Sequence, residues 1–263
     1  MTRGYQSLLM GLVALLLLRL SLTGDFLNYV KPVMRPFLII AGVVLALVAL
    51  ALVLTERSGT DHGADADPHD GDHDEPSPST EVAGHHDDHG PPRLAWLLII
   101  PLAAAFVVAP GSLGSYAASR GGSWTPPTPV ASGWPPPLLS PVEGAHDIGL
   151  YDFSSRAFFD EAQGLADKPL RMVGFVRSSE AVDGFMITRF FVACCAADGV
   201  PISVQVVGFD GARPPDDVWV EVEGTWLPNA TDLDWNADND TDWATLVATS
   251  VTEIPEPREP YES

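Results

Sequence analysis

Two groups of side chains in this sequence could hold a metal ion. The first comprises His62, His69, His73, His85, His86 and His89, six of the chain's seven histidines, gathered within residues 56–93. They are interleaved with carboxylates, as in Asp72-His73-Asp74 and His85-His86-Asp87-Asp88-His89. Neutral imidazole and carboxylate oxygen are the donors that zinc, nickel, copper and cobalt accept, and a flexible chain can bring several of them around one ion. A site without preorganisation exchanges its ion quickly, which suits capture or delivery of a divalent metal such as zinc. The absence of Cys and Met from the stretch counts against a dedicated Cu(I) site. The competing reading is a solvated acidic spacer, or one that responds to pH because imidazole titrates near neutrality.

The second group is Cys194-Cys195-Ala196-Ala197-Asp198, which contains the only two cysteines. Adjacent cysteines seldom join each other, because the ring so formed is strained, and they are read here as two thiols. Successive strand residues point to opposite faces, so both thiols can meet one ion only if the strand ends in a turn at that point. The following Ala-Ala-Asp-Gly allows such a turn. A metal site with Asp198, a redox role and a pair of small buried hydrophobes capped by Asp198 all remain open on sequence alone.

Composition narrows the alternatives. With 14 basic against 35 acidic residues and a formal net charge of −21, the chain lacks the clustered Lys and Arg that binding nucleic acid demands. No catalytic residues are assigned: the sequence holds no nucleophile with base and orienter, no phosphate-binding glycine loop and no His-Glu-x-x-His motif, so an enzyme is not expected. No cofactor is implied beyond zinc or another divalent ion.

The apolar residues that would position these groups are unevenly spread. Residues 1–55 read as two transmembrane helices, centred on Leu8–Leu22 and on the uncharged Phe37–Leu54, each with its flanks long enough to cross a bilayer. Arg19, near the end of the first, is expected to snorkel toward the headgroups. A cleaved signal peptide competes for that first run, but no Ala-x-Ala-like site follows it. Residues 56–93 lack apolar periodicity and are expected to be a disordered acidic loop. Residues 94–110 form a third span, with Pro101 inside it as a kink. The expectation is a multi-pass protein of a bacterial cell membrane. Arg19, Lys31, Arg35 and Arg120 against Arg3, Arg57 and Arg93 lean toward a cytoplasmic first connection, an extracellular histidine-rich loop and a cytoplasmic C-terminal domain.

Residues 111–144 are rich in proline and read as a semi-rigid linker, with Trp124 and Trp134 available to the membrane interface. Residues 145–255 have the size of one small all-β or α+β domain, followed by a tail over 256–263. A helix is expected at Phe153–Gln163, capped by Ser154 or Ser155, and strands at Leu170–Arg177, Phe185–Ala193, Ile202–Val207, Val218–Trp226 and Leu246–Ile254. Five short strands separated by turns suggest an OB-like barrel, a fold that does not by itself supply a function.

Taken together, Thr23-Gly24, Tyr29-x-x-Pro32, the His/Asp-rich loop, Gly174-Phe175-Val176, Thr188-Arg189-Phe190, Cys194-Cys195-Ala196-Ala197-Asp198 and Trp219-Val220-x-Val222-x-Gly224 resemble a bacterial family of membrane permease subunits. The resemblance covers most of the chain. It implies an accessory subunit that accompanies a larger multi-spanning permease. A divalent metal is the expected ligand, and a membrane-anchored thiol redox or metal sensor built on the cysteine pair is the alternative.

Overall fold

The structure, a computed structural model, describes residues 3–58, 99–107, 111–121, 139, 143–159, 164–178, 184–228 and 243–262. The histidine-rich stretch, Trp124 and Trp134 lie outside these residues. The chain forms two compact units, one of Met1–Thr23 with Arg35–Pro110 and one of Gly24–Met34 with Gly111–Ser263.

The first unit holds helices α1 (Arg3–Thr23), α2 (Arg35–Ser58) and α3 (Ile99–Val107). Within α1 and the region of α2, Gln6–Thr23 and Pro32–Thr55 are each long and apolar enough to cross a membrane. Large apolar side chains such as Leu15, Phe37, Ile40, Leu47 and Leu50 are exposed along them, an arrangement that is favourable in lipid and costly in water. The two helices meet through small residues. A Cβ on Gly42 would come within 2.9 Å of Leu18 Cγ, and Ala14 and Ala49 are buried. Arg35 at the start of α2 donates from Nε to the Ser21 carbonyl at 3.2 Å, so α2 begins where α1 ends. Arg19 is engaged by another helix. Its guanidinium donates to the Phe106 carbonyl near the C-terminal end of α3 and lies 5.8 Å from the Phe106 ring centroid. Carbonyls in a last turn have no donor partner inside their own helix, and a cation there satisfies one of them.

The second unit is built on strands β1 (His146–Asp147), β2 (Leu170–Arg177), β3 (Phe185–Phe191), β4 (Val200–Val207), β5 (Trp219–Leu227) and β6 (Thr245–Glu253). Antiparallel β2-β3-β4 and β2-β5-β6 are joined by a parallel pairing of β4 with β6, which closes β2 to β6 into a five-stranded OB-like barrel. The short β1 runs parallel to β2. Inward positions are taken by Leu170, Met172, Ile187, Ile202, Val204, Val220, Val222 and Leu246, all buried. Their period of two is the alternation that marks these segments as half-buried strands. Closure depends on a bulge between Glu223 and Gly224, where a Cβ on Gly224 would lie 2.2 Å from the Val247 carbonyl oxygen.

Helix α5 (Leu150–Phe159) places Leu150 and Phe153 in the barrel core. It starts earlier than expected, so Ser154 and Ser155 are buried inside it and cap nothing. The cap comes from the other end of the chain. Glu262 Oε1 accepts the Leu150 N–H at 2.6 Å and its Oε2 the Tyr151 N–H at 2.8 Å. Residues 256–262 are therefore part of the domain, and Glu262 pairs with Phe191 in parallel. The start of the expected linker also differs. Helix α4 (Ser115–Arg120) lies against the barrel, with Ala118 buried beside Phe175, Phe190 and Trp219. The Asp217 carboxylate fixes its first turn by accepting from Ser115 N at 2.6 Å and Ser115 Oγ at 2.8 Å. Two alanines give this helix a flat apolar face, which a reading of the segment by its prolines overlooks.

A candidate thiol and carboxylate centre

Strand β3 ends at Phe191, Val192 is buried, and the chain then bends into a short 3-10 turn at Ala196–Asp198. This bend removes the alternation that would keep Cys194 and Cys195 on opposite faces. One ligand atom from each of Cys194, Cys195 and Asp198 lies within 4.8 Å of the others. Cys194 is exposed, and Cys195 and Asp198 are half-buried. An ion held by two sulfurs at about 2.3 Å in a tetrahedral site would set those sulfurs roughly 3.8 Å apart, so little contraction is needed.

Asp198 organises the bend. Its Oδ1 accepts the Ala193 N–H at 2.8 Å, and its Oδ2 accepts the N–H groups of Cys194 at 2.9 Å and Cys195 at 3.3 Å. The Cys194 thiol donates to the same Oδ2 at 2.8 Å. A reciprocal bond runs from the Asp198 N–H to the Cys195 side chain, completing a capping box. The thiol hydrogen bond, aided by the three backbone donors, holds the Asp198 carboxyl down to about 2. The same bond to Asp198, together with one to Cys195, pushes Cys194 up to about 11. A reactive redox cysteine needs the opposite shift, toward thiolate at neutral pH. Cys194 is therefore held as the thiol at neutral pH, the form that does not attack an oxidant.

A further element completes the surroundings, and sequence reasoning did not anticipate it. Gly24–Met34, the connection between α1 and α2, is part of this unit. Val30 forms an antiparallel bridge with Cys195, Ala196 N–H donates to the Tyr29 carbonyl at 2.7 Å, and Lys31 N–H donates to the Cys194 carbonyl at 3.3 Å. The Lys31 ammonium sits 5.7 Å from the Phe191 ring centroid. Tyr261 ties the arrangement together, accepting from Leu113 N–H at 3.0 Å and donating to the Asn28 carbonyl at 2.8 Å. The cavity beside it, lined by Val30, Pro32, Val192 and Tyr261, holds about 10 Å³ and takes at most one water.

Of the residues singled out from sequence, the structure brings Cys194, Cys195 and Asp198 together. His62, His69, His73, His85, His86 and His89 lie outside the described residues. The Tyr29-x-x-Pro32 motif was visible in the sequence, but nothing local disclosed that it pairs with a strand end far along the chain.

The chain thus joins a unit of helices long and apolar enough to cross a membrane to a small OB-like barrel, and both parts match known family models. Residues 6–123 match the DUF1980 N-terminal domain and residues 157–262 the DUF1980 C-terminal domain. The chain belongs to this uncharacterised bacterial family, carrying both of its domains. No curated protein and no solved structure matches it.

Proposed function

We propose that this protein is an accessory subunit of a membrane permease that binds a divalent metal such as zinc. The observation that supports this most is the approach of Cys194, Cys195 and Asp198 to within 4.8 Å of one another on an accessible bend. Two thiolates and a carboxylate suit zinc, and three protein ligands leave a fourth position open. An open position permits ligand exchange, which favours carriage of an ion over a permanent structural site. The histidine-rich stretch is a second set of donors in the same reading, with an expected affinity in the roughly micromolar range.

The permease is a separate protein in this proposal. A third crossing over residues 94–110 would give three helices whose apolar stretches carry Arg19 as their ionisable residue, too few polar groups to replace the water around an ion. The helices serve as an anchor and as a packing surface for a multi-spanning partner.

The test is competition for zinc between a chromogenic chelator and the purified full-length protein in detergent. Removing both thiols as C194S/C195S should weaken the tightest site at least tenfold, leaving the weaker histidine sites. Unchanged binding would end the assignment of the cluster. Liposomes carrying the protein alone should show no zinc flux above empty vesicles, and saturable flux would make it a transporter in its own right.

A further inference from the structure

The pairing of Val30 with Cys195 has a consequence for the path of the chain through the membrane, given the reading of α1 and α2 as spans on which it rests. The connection Gly24–Met34 belongs to the same compact unit as the barrel, held there by the bonds from Tyr29 and Lys31 to the Cys194–Ala196 bend and from Tyr261 to Asn28. A segment hydrogen-bonded to a folded domain lies on that domain's side of a bilayer, because backbone groups cannot be paired through hydrocarbon. The chain leaves that side along α2 at Arg35 and is back on it at Gly111, where the barrel unit resumes. It must therefore cross a second time between these two points.

An independent contact in the helical unit agrees. Arg19, one turn from the C-terminal end of α1, binds the carbonyl of Phe106 near the C-terminal end of α3. Helices whose C-terminal ends meet run in the same direction. Arg35 at the start of α2 binds Ser21 near the end of α1, so α2 runs the opposite way. The order is up, down and up, and α3 ends on the side where α1 ends.

We infer that the chain crosses the membrane three times, with the thiol and carboxylate centre and the α1–α2 connection on one side and the stretch 59–93 on the other. The centre is thus built from the barrel and the first connection alone and is open to ions from one compartment. The apolar run that contains α3 supplies the crossing that returns the chain.

Single-cysteine reporters test this, because C194S/C195S removes every native cysteine. Val33→Cys reports on the exposed connection, Asp210→Cys on an exposed barrel loop and Ser77→Cys on the intervening stretch. Each is treated with a membrane-impermeant maleimide in right-side-out and in inverted vesicles. Val33→Cys and Asp210→Cys should label in one vesicle orientation and Ser77→Cys only in the other. Labelling of all three in the same orientation, or of Val33→Cys and Asp210→Cys in different ones, would overturn the arrangement. A parallel pair of variants retains Cys194 and Cys195 and carries a specific protease site at Ser77 or at Asn239. These should be cut in opposite orientations, and cutting in the same orientation would overturn it equally. Release of the protein from vesicles by alkaline carbonate would refute the spans themselves. Zinc binding in detergent is independent of sidedness, so the two proposals fail separately.

Discussion

The Cys194 thiol donates to Asp198 Oδ2 at 2.8 Å, four residues along the chain, and the same carboxylate accepts three backbone N–H groups. This places a negative charge beside a thiol and keeps the thiol protonated, raising it from 9.0 to about 11. In a C195S background, Cys194 should therefore react with iodoacetamide at pH 8 at least tenfold more slowly than a free cysteine of ordinary acidity, since only thiolate attacks. Asp198→Asn removes the charge and should restore much of that rate. Equal rates in the two proteins would show that Asp198 does not hold the thiol.

Asp198 also bears on stability. Its folded value of about 2 lies below the ordinary 3.8, so its contribution is fully present above pH 4 and is lost as pH falls toward 2. Glu262 behaves in the opposite sense. Burial raises its carboxyl, partly offset by the N–H donors of Tyr151 and Leu150, so deprotonation on going up through the folded value costs stability. Glu262→Gln should remove this loss and flatten the thermal midpoint against pH above about 4.5. Glu262→Ala leaves both N–H groups at the start of α5 without their acceptor and should cost about 1–3 kcal/mol in chemical denaturation. A midpoint unchanged by Glu262→Ala would remove the distant cap from the account.

How much of this was legible in the sequence follows the range of the interactions. Leu170–Arg177 reads as a strand and is one, because alternation of large apolar residues is a local signal. Strand β3 stops at Phe191, short of the expected Ala193, because the backbone of Ala193 turns to donate to Asp198. Helix α5 starts at Leu150, ahead of the expected Phe153, because its cap is Glu262, 112 residues away. The convergence of Cys194, Cys195 and Asp198 was foreseeable as a condition on the turn. The pairing of Val30 with Cys195 was not, since Tyr29-x-x-Pro32 carries no periodicity and its partner is remote in sequence.

Gly224 offers a sharp test of barrel closure. A methyl group there would stand 2.2 Å from the Val247 carbonyl oxygen, a backbone atom that cannot move without opening the β5–β6 ladder at its bulge. Gly224→Ala should destabilise the domain by ~3 kcal/mol or more, or prevent its folding. Gly111→Ala meets nothing within 4 Å and should be neutral by comparison. Equal midpoints for the two variants in urea denaturation would contradict the register.

Tyr261 joins three segments that are far apart in sequence, and its removal separates local packing from docking of the α1–α2 connection. The hydroxyl accepts from Leu113 N–H and donates to the Asn28 carbonyl, while burial pushes the phenol's pKa up and keeps the donor proton in place. Tyr261→Phe preserves the ring and deletes both bonds, which should cost about 1–2 kcal/mol, with one backbone donor and one acceptor left to find water. The effect should be local. Hydrogen exchange at Lys31 and Ala196, whose N–H groups bond across the junction to the Cys194 and Tyr29 carbonyls, should accelerate severalfold while exchange at Ile187 and Val204 in the barrel core stays unchanged. Acceleration spread evenly over the barrel would mean that Tyr261 stabilises the domain as a whole. No acceleration at Lys31 and Ala196 would mean that the connection is held without it, and the bridge between Val30 and Cys195 would then have to account for the docking alone.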